Sequence, residues 1–394
     1  MTTLNPGIMI WARNTAGLSL DQAAQALGFQ NAQRRSAAER LSALEAGEEE
    51  PSRSVLLRMA KAYRRSLLVF YLQEPPRTGD RGQDFRTVRG AAPPHYDPIL
   101  DALIRDIRRR QAIVNSLLED AERTPVDFIG SASMNTPAGE LAKRMADRLG
   151  FSLTEFRRQS TVEAAFNYLR EKIEAAGVFV LLAGNLGSHH TNIPVDIFRG
   201  FAIADPTAPF VIVNDQDAKA AWSFTALHEL GHLWLGTTGI SGTSTEARIE
   251  RYCNDVAGEI LFPSAEVREF EGVRKAPFDQ VIEAITLFAG RRKISRAMVA
   301  YKLLRTDVIS EATWNALSSH FKREWISIQE NDTERSEGGP SYYVVKRHRL
   351  GNALLGVVSR SLAERNITYT KAAQVLGVKP INVDPLLNAS QGTR

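Results

Sequence analysis

The sequence predicts an α+β chain that is mainly helical, and three observations carry the prediction. Apolar residues recur at helical spacing over most of the 394 residues. Three short β-rich runs cluster between 178 and 214. Tracts rich in proline, glycine and charge interrupt the helical material twice, near 76–100 and near 330–341. A chain of this length exceeds what one core usually serves, so several domains are expected. The expected layout is a helical domain over 1–75, a linker over 76–100, a central domain over 101–330 and a small helical domain over 340–394.

Each element has its own signal. "IMIWARNTAG" reads as a helix stopped at Gly17, and "LSLDQAAQALG" as one capped by Ser19 and ended at Gly28. "SAAERLSALEAG" follows and ends at Gly47. "PSRSVLLRMAKAYRRSLLVFYL" reads as one helix with proline at its start and Val55, Leu56, Met59, Ala60 and Tyr63 turned inward. A basic amphipathic helix is expected over 98–123, with Arg105, Arg108, Arg109 and Arg110 on a solvated face or against nucleic acid. Two more helices precede a change of period. "VFVLLAG", "RGFAIAD" and "PFVIVND" then read as strands, the last ending in an edge at Asn214 on which an extended peptide would lie. Helices resume from 217 onward.

Composition narrows the function. Forty-nine basic and 45 acidic side chains leave a net charge of +4, too balanced to demand a nucleic-acid partner. The single cysteine, Cys253, excludes an internal disulfide and any cysteine-rich zinc module, and suits a reducing cytoplasm. No apolar run approaches the ~18 residues of a membrane span, and the N-terminus lacks the plan of a signal peptide. A soluble cytoplasmic protein is expected.

"LHELGHLW", residues 227–234, carries the chemistry. On a helix, positions i and i+4 share a face, so His228 and His232 can both turn an imidazole nitrogen to one Zn2+ ion. Glu229 lies about 100° round the helix, placed to act as general base without ligating. Gly231 lets another backbone approach. Leu227, Leu230, Leu233 and Trp234 make the surrounding helix apolar, so the histidines would be half-buried and in need of partners. A catalytic zinc keeps three protein ligands and an open position, so a third is required. By spacing, Glu246 and Glu250 are even candidates, and Cys253 stays open as a thiolate.

"FTALHELGHLWLG" followed by "IERYCNDVAGEILFP" resembles the ImmA/IrrE family of zinc metallo-endopeptidases. The resemblance implies a zincin-like domain, Glu250 as third ligand (His-Glu-x-x-His followed by Glu, gluzincin-like) and Cys253 as a small buried residue. Asn254 and Glu259 then read as groups that support the ligands or pack the helices, not as ligands. It extends over roughly 165–310, and His189 and His190 match no family position, which suits exposed loop residues. "LSLDQAAQALGF" with "LSALEAGEEEPSRSVLLRMAKAYRRSL" resembles an Xre/Cro-type helix-turn-helix domain of the five-helix type. There Gln30, Asn31, Gln33, Arg34, Arg35 and Arg40 are the residue types that touch DNA. Glu45, Glu48, Glu49 and Glu50 follow directly and would repel phosphate. "TYTKAAQVLGV" near the C-terminus resembles a second helix-turn-helix start.

The resemblance implies a regulatory zinc-dependent endopeptidase that hydrolyses a partner protein, a transcriptional repressor being the natural substrate, as in stress and mobile-element regulation. DNA bound through the N-terminal module and a homodimer are further partners it leaves open, and a membrane partner is not expected. The alternative is a DNA-binding regulator or antitoxin whose zinc site is structural or latent.

Overall fold

The computed structural model describes residues 4–32, 35–76, 96–237, 244–274, 276–335 and 341–389, with the side chains of 189, 244–246 and 329–335 excepted. Most of the expected linker, 77–95, and the centre of the second polar tract, 336–340, therefore lie outside the described residues. The chain divides into two compact units. One comprises 1–83, 89–106 and 185–193, the other 84–88, 107–184 and 194–394.

The first unit is built on four short helices, α1 (Pro6–Thr15), α2 (Leu20–Ala26), α3 (Ala37–Glu45) and α4 (Arg53–Ala62). Each starts where a polar side chain accepts a backbone N–H that the helix leaves over. Asn5 and Ser52 serve α1 and α4, while Ser19 with Gln22 and Ser36 with Glu39 form complete capping boxes on α2 and α3. Ile8, Leu27, Leu41, Leu56, Met59 and Phe70 close the core. The long helix expected over 51–72 is two pieces. Arg64 takes a left-handed conformation at φ 52°, which ends α4, and Leu67–Tyr71 continue as a 3-10 helix that folds Phe70 under Tyr63. Glu45 also departs from expectation: it is buried and paired to Arg13, so it takes no part in an acidic surface cluster.

Helix α5 (Asp97–Asp120) follows, then α6 (Ala138–Leu149), α7 (Leu153–Arg158) and α8 (Val162–Ala175). In the second unit the three expected runs form strands β1 (Phe179–Leu182), β2 (Gly200–Ile203) and β3 (Phe210–Val213) in one sheet of order β1-β3-β2. β1 pairs parallel to β3, with Phe179 opposite Phe210, and β2 pairs antiparallel, with Gly200 opposite Val213. The run ending at Asn214 is thus the central strand, not an edge. Its Phe-Val-Ile-Val residues are buried on both faces, as a continuous apolar run with neighbours on each side requires. The edge expected there belongs to β2.

Helix α9 (Lys219–Trp234) crosses β2 and β3 and packs against α8. α10 (Ser244–Leu261) lies on α9 and α6, and α11 (Phe278–Arg292), α12 (Arg296–Arg305) and α13 (Glu311–Arg335) follow. The last four helices, α14 (Tyr342–Leu350), α15 (Asn352–Ala363), α16 (Tyr369–Leu376) and α17 (Val383–Asn388), belong to the same unit, with α14 and α15 on β1. A buried ion pair holds them there. Arg170 on α8 pairs with Glu174 at 3.1 Å and donates to the carbonyls of Val180, His348 and Arg349. Glu174 in turn accepts the N–H groups of Asn352 and Ala353 at 3.1 and 3.0 Å, where α15 begins. Each side-chain nitrogen of Arg170 and each carboxylate oxygen of Glu174 has a partner, the condition under which a buried ion pair is tolerated.

Candidate metal centre

The site is set by how α9 enters and leaves the sheet. After β3 the buried Asn214 donates from its amide to the Phe198 carbonyl at 2.9 Å and accepts the Gln216 N–H at 2.9 Å, turning the chain into the helix. Ala221, Trp222, Ala226, Leu227, Leu230, Leu233 and Trp234 then go into the core. The helix is apolar almost all round, as befits one covered on several sides. At its end, the N–H groups of Gly130 and Ala132 satisfy the Leu233 and Trp234 carbonyls at 3.0 and 2.9 Å, and Trp234 stacks on Phe128 with centroids 5.0 Å apart.

α10 lies unusually close because of Gly231. A Cβ there would stand 3.3 Å from Cys253 Sγ and 3.7 Å from its Cα. Cys253 is fully buried in this contact, and burial together with Glu250 and Glu229 pushes its thiol well above the ordinary range. Cys253 packs against Gly231 and is not part of the group of ligand atoms that converge beside it.

This approach brings three ligand-bearing side chains together. His228 Nε2 is 3.1 Å from His232 Nε2, and Glu250 places Oε2 3.2 Å from the first and Oε1 3.3 Å from the second. Among the described residues these three form the group able to hold a metal. Zinc–ligand bonds of about 2.0–2.2 Å at tetrahedral angles separate ligand atoms by roughly 3.3 Å, which is the spacing found here. The donor set of two imidazoles and a carboxylate suits zinc. The side chain of Glu246, the competing candidate, lies outside the described residues.

The surroundings prepare the imidazoles for that task. The Thr237 hydroxyl donates to the His232 carbonyl at 3.2 Å and so can accept from His232 Nδ1, 3.3 Å away, which leaves Nε2 with its lone pair toward the centre. His228 Nδ1 is buried with no partner at hydrogen-bonding geometry, while the Asn254 side chain sits beside that ring and favours its charged form. Burial lowers the His228 pKa, but the hydrogen bond it donates to Glu250 and the charges of Glu229 and Glu250 raise it overall. Burial likewise raises Glu250, yet the two histidines outweigh it and hold that carboxyl far below the usual carboxylate range.

Glu229 is different. It is 6% exposed, and its pKa is raised, chiefly by burial, against the lowering influence of His228 and His232. Its carboxylate points to the start of β2: a Cβ on Gly200 would lie 2.9 Å from Glu229 Oε1 and 2.8 Å from the Ile212 carbonyl oxygen. A buried carboxylate beside a cation site is placed to exchange a proton there.

The remaining expected residues are placed as follows. Asn254 lies between His228 and Tyr301, acting on both. Glu259 accepts from Lys302 at 2.6 Å and from the Ser264 hydroxyl at 2.6 Å, so it fastens α10 to α12, the helix-packing alternative of the two read for it. In the first unit Asn31 accepts the Ala37 N–H at 2.8 Å, Arg35 pairs with Glu49, and Arg40 covers the Phe29 ring at 5.1 Å. Gln30 is exposed; Gln33 and Arg34 lie outside the described residues. His190 is exposed on its loop, and the His189 side chain is among those not described. Sequence reasoning missed Thr237 and Gly200. A hydroxyl five residues beyond His232 was a readable signal for the first, and no local pattern marks the second.

Residues 185–304 match the family model of the IrrE N-terminal-like domain, peptidase M78. The match spans β2, β3 and both ligand-bearing helices and supports the ImmA/IrrE family, a metal-dependent peptidase family, for this part of the chain. The first unit's α1 to α4 lie outside it. No curated protein and no solved structure matches the chain. No helix among the described residues is long and apolar enough to cross a membrane.

Proposed function

We propose that the chain is a zinc-dependent endopeptidase of the His-Glu-x-x-His…Glu type that cuts a specific partner protein, with a transcriptional repressor as substrate. The observation that carries this reading is the mutual spacing of His228, His232 and Glu250, 3.1–3.3 Å between ligand atoms, with a buried glutamate beside them. Zinc, when bound by these three, supplies the Lewis acidity that polarises a peptide carbonyl and acidifies water. Glu229 takes the proton of the attacking water and returns it to the departing amine. Its raised pKa lets it hold that proton between the two steps, and Gly200 leaves the room in which it does so. Thr237 and Asn254 orient the imidazoles.

Within this reading the first unit docks the enzyme. Asn31 and Arg35 are engaged within the unit, which favours a protein partner over DNA for that face. Salt-independent failure to shift promoter DNA, with the regulator's binding retained, is the expected result in a mobility assay.

The test uses the product of a co-transcribed regulator gene as substrate. The purified chain carries one zinc per molecule and cleaves that product. Cleavage stops on chelation and on His228→Ala, and returns to the chelated wild type when zinc is restored. Cleavage that persists in the zinc-free protein refutes the proposal.

A further inference from the structure

The second unit holds a cavity of about 300 Å³ whose lining includes none of the metal-centre residues. Its walls combine Leu118, Phe179 and Val357 with two arginines from separate elements, Arg123 just after α5 and Arg360 on α15. Among the described residues neither arginine has a carboxylate partner or a hydrogen bond. Both are nonetheless folded against the cavity wall. Arg123 lies over the Phe179 ring, 6.0 Å from its centroid, with Nη2 3.2 Å from where a Cβ on Gly177 would stand. Gly177 has φ +103°, so glycine is required there on backbone grounds as well. Arg360 lies back along its helix, with Nη1 3.6 Å from a Cβ built on Gly356.

The charge of the cavity follows from its one acidic residue. Glu174 lines it, but that carboxylate already accepts from Arg170 and from the N–H groups of Asn352 and Ala353. Two guanidinium groups thus face one concave space with nothing negative left to answer them. Burial and the nearby Arg360 both disfavour the charged form of Arg123. An isolated surface arginine is relieved by water and salt. Half-buried Arg123 and exposed Arg360 open onto one hollow, and an anion that both can grip relieves such a pair better than water does.

We propose that this cavity binds a small phosphate monoester, its phosphate held between Arg123 and Arg360. A phosphate monoester carries about −1.5 to −2 charges at neutral pH, matching two guanidinium groups that each pair with it through a planar fork. The volume exceeds that of a phosphate group, and Leu118, Phe179 and Val357 give its organic part an apolar wall. Bound there, the ligand joins the end of α5 to α15, the helix that Glu174 fastens to α8.

Calorimetric titration of the full chain at constant ionic strength tests the assignment, with ribose 5-phosphate, inorganic phosphate, ribose and citrate as probes. Ribose 5-phosphate binds one per chain, inorganic phosphate binds about tenfold more weakly for want of the apolar contacts, and ribose does not bind. R123Q and R360Q each weaken binding by about tenfold or more, the loss of one charge-assisted pair. The double variant abolishes it, and R148Q, at an arginine paired elsewhere with Asp127, leaves it unchanged. Circular dichroism and zinc content confirm that each variant is folded. Absence of binding by ribose 5-phosphate, binding retained in the double variant, or citrate binding in preference to the phosphates would each overturn the proposal.

Discussion

Two carboxylates held against nitrogen-bearing partners, one in each unit, the first buried and the second about a third exposed, are built on opposite plans. Around Glu45 the protein supplies everything. Arg13 gives it Nε at 2.8 and 3.1 Å and Nη2 at 3.0 Å, and spends Nη1 on the Leu18 carbonyl at 3.0 Å. Around Glu250 the neighbours are two imidazole nitrogens at 3.2 and 3.3 Å, themselves 3.1 Å apart. Those three groups converge lone pairs on one point, and only a shared proton or a cation reconciles them. Glu45 belongs to a completed arrangement that can do no more than hold α1 to α3. Glu250 belongs to an arrangement whose three donors converge on one point that a cation fits, and that is where chemistry is to be sought.

The contrast can be broken by perturbing either side. Arg13→Met leaves Glu45 buried without its partner. We expect a loss of about 3–5 kcal/mol from the stability of the first unit, read by denaturant unfolding, with zinc stoichiometry untouched. A fall in zinc content would show that the completed pair also serves the metal centre. Thr237→Val keeps the shape but removes the acceptor for His232 Nδ1. Zinc affinity should drop by about 10–100-fold at unchanged melting temperature, measured by competition with a chelating dye. Unchanged affinity would mean that the ring is held by packing alone.

The smallest effect concerns pH. Glu266 sits between Arg157 and Arg292, each at 2.8 Å, and although burial raises its pKa the two arginines bring it below the ordinary 4.5. A folded-state pKa below the unfolded value means a stabilisation that is complete above pH 4.5 and fades as pH falls through the folded value. The pair is partly exposed, so solvent limits it to about 1 kcal/mol. Glu266→Gln should flatten that stretch of the acid unfolding curve and change little at neutral pH; an unaltered acid limb would remove the pair from the account.

Much of this was legible before any coordinates. The three strands follow from short apolar runs, α9 from its periodicity, and the histidine pair from one helical turn. Ser19 and Gly231 announced a cap and a close approach through residue chemistry alone, while the sequence reading does not mark the cap at Ser36. What stayed hidden depended on tertiary contacts. Spacing left Glu246 and Glu250 even, because which turn of α10 faces α9 depends on how closely Gly231 and Cys253 pack. A one-dimensional pattern cannot order strands, so the sequence reads β3 as an edge, whereas β2 pairs on its far side from β1. Glu45 looked like the first of a run of surface acids, yet a partner 32 residues away draws it inside. Gly200 carried no signal at all, since its role is to leave room for a carboxylate from another element.

The account stands most directly on Glu229→Gln, assayed for bound zinc and for cleavage of the partner protein together. The variant should keep one zinc per chain, because His228, His232 and Glu250 are intact, while cleavage falls by about 10²–10⁴-fold for want of the proton carrier. Cleavage at the wild-type rate with zinc in place would contradict it.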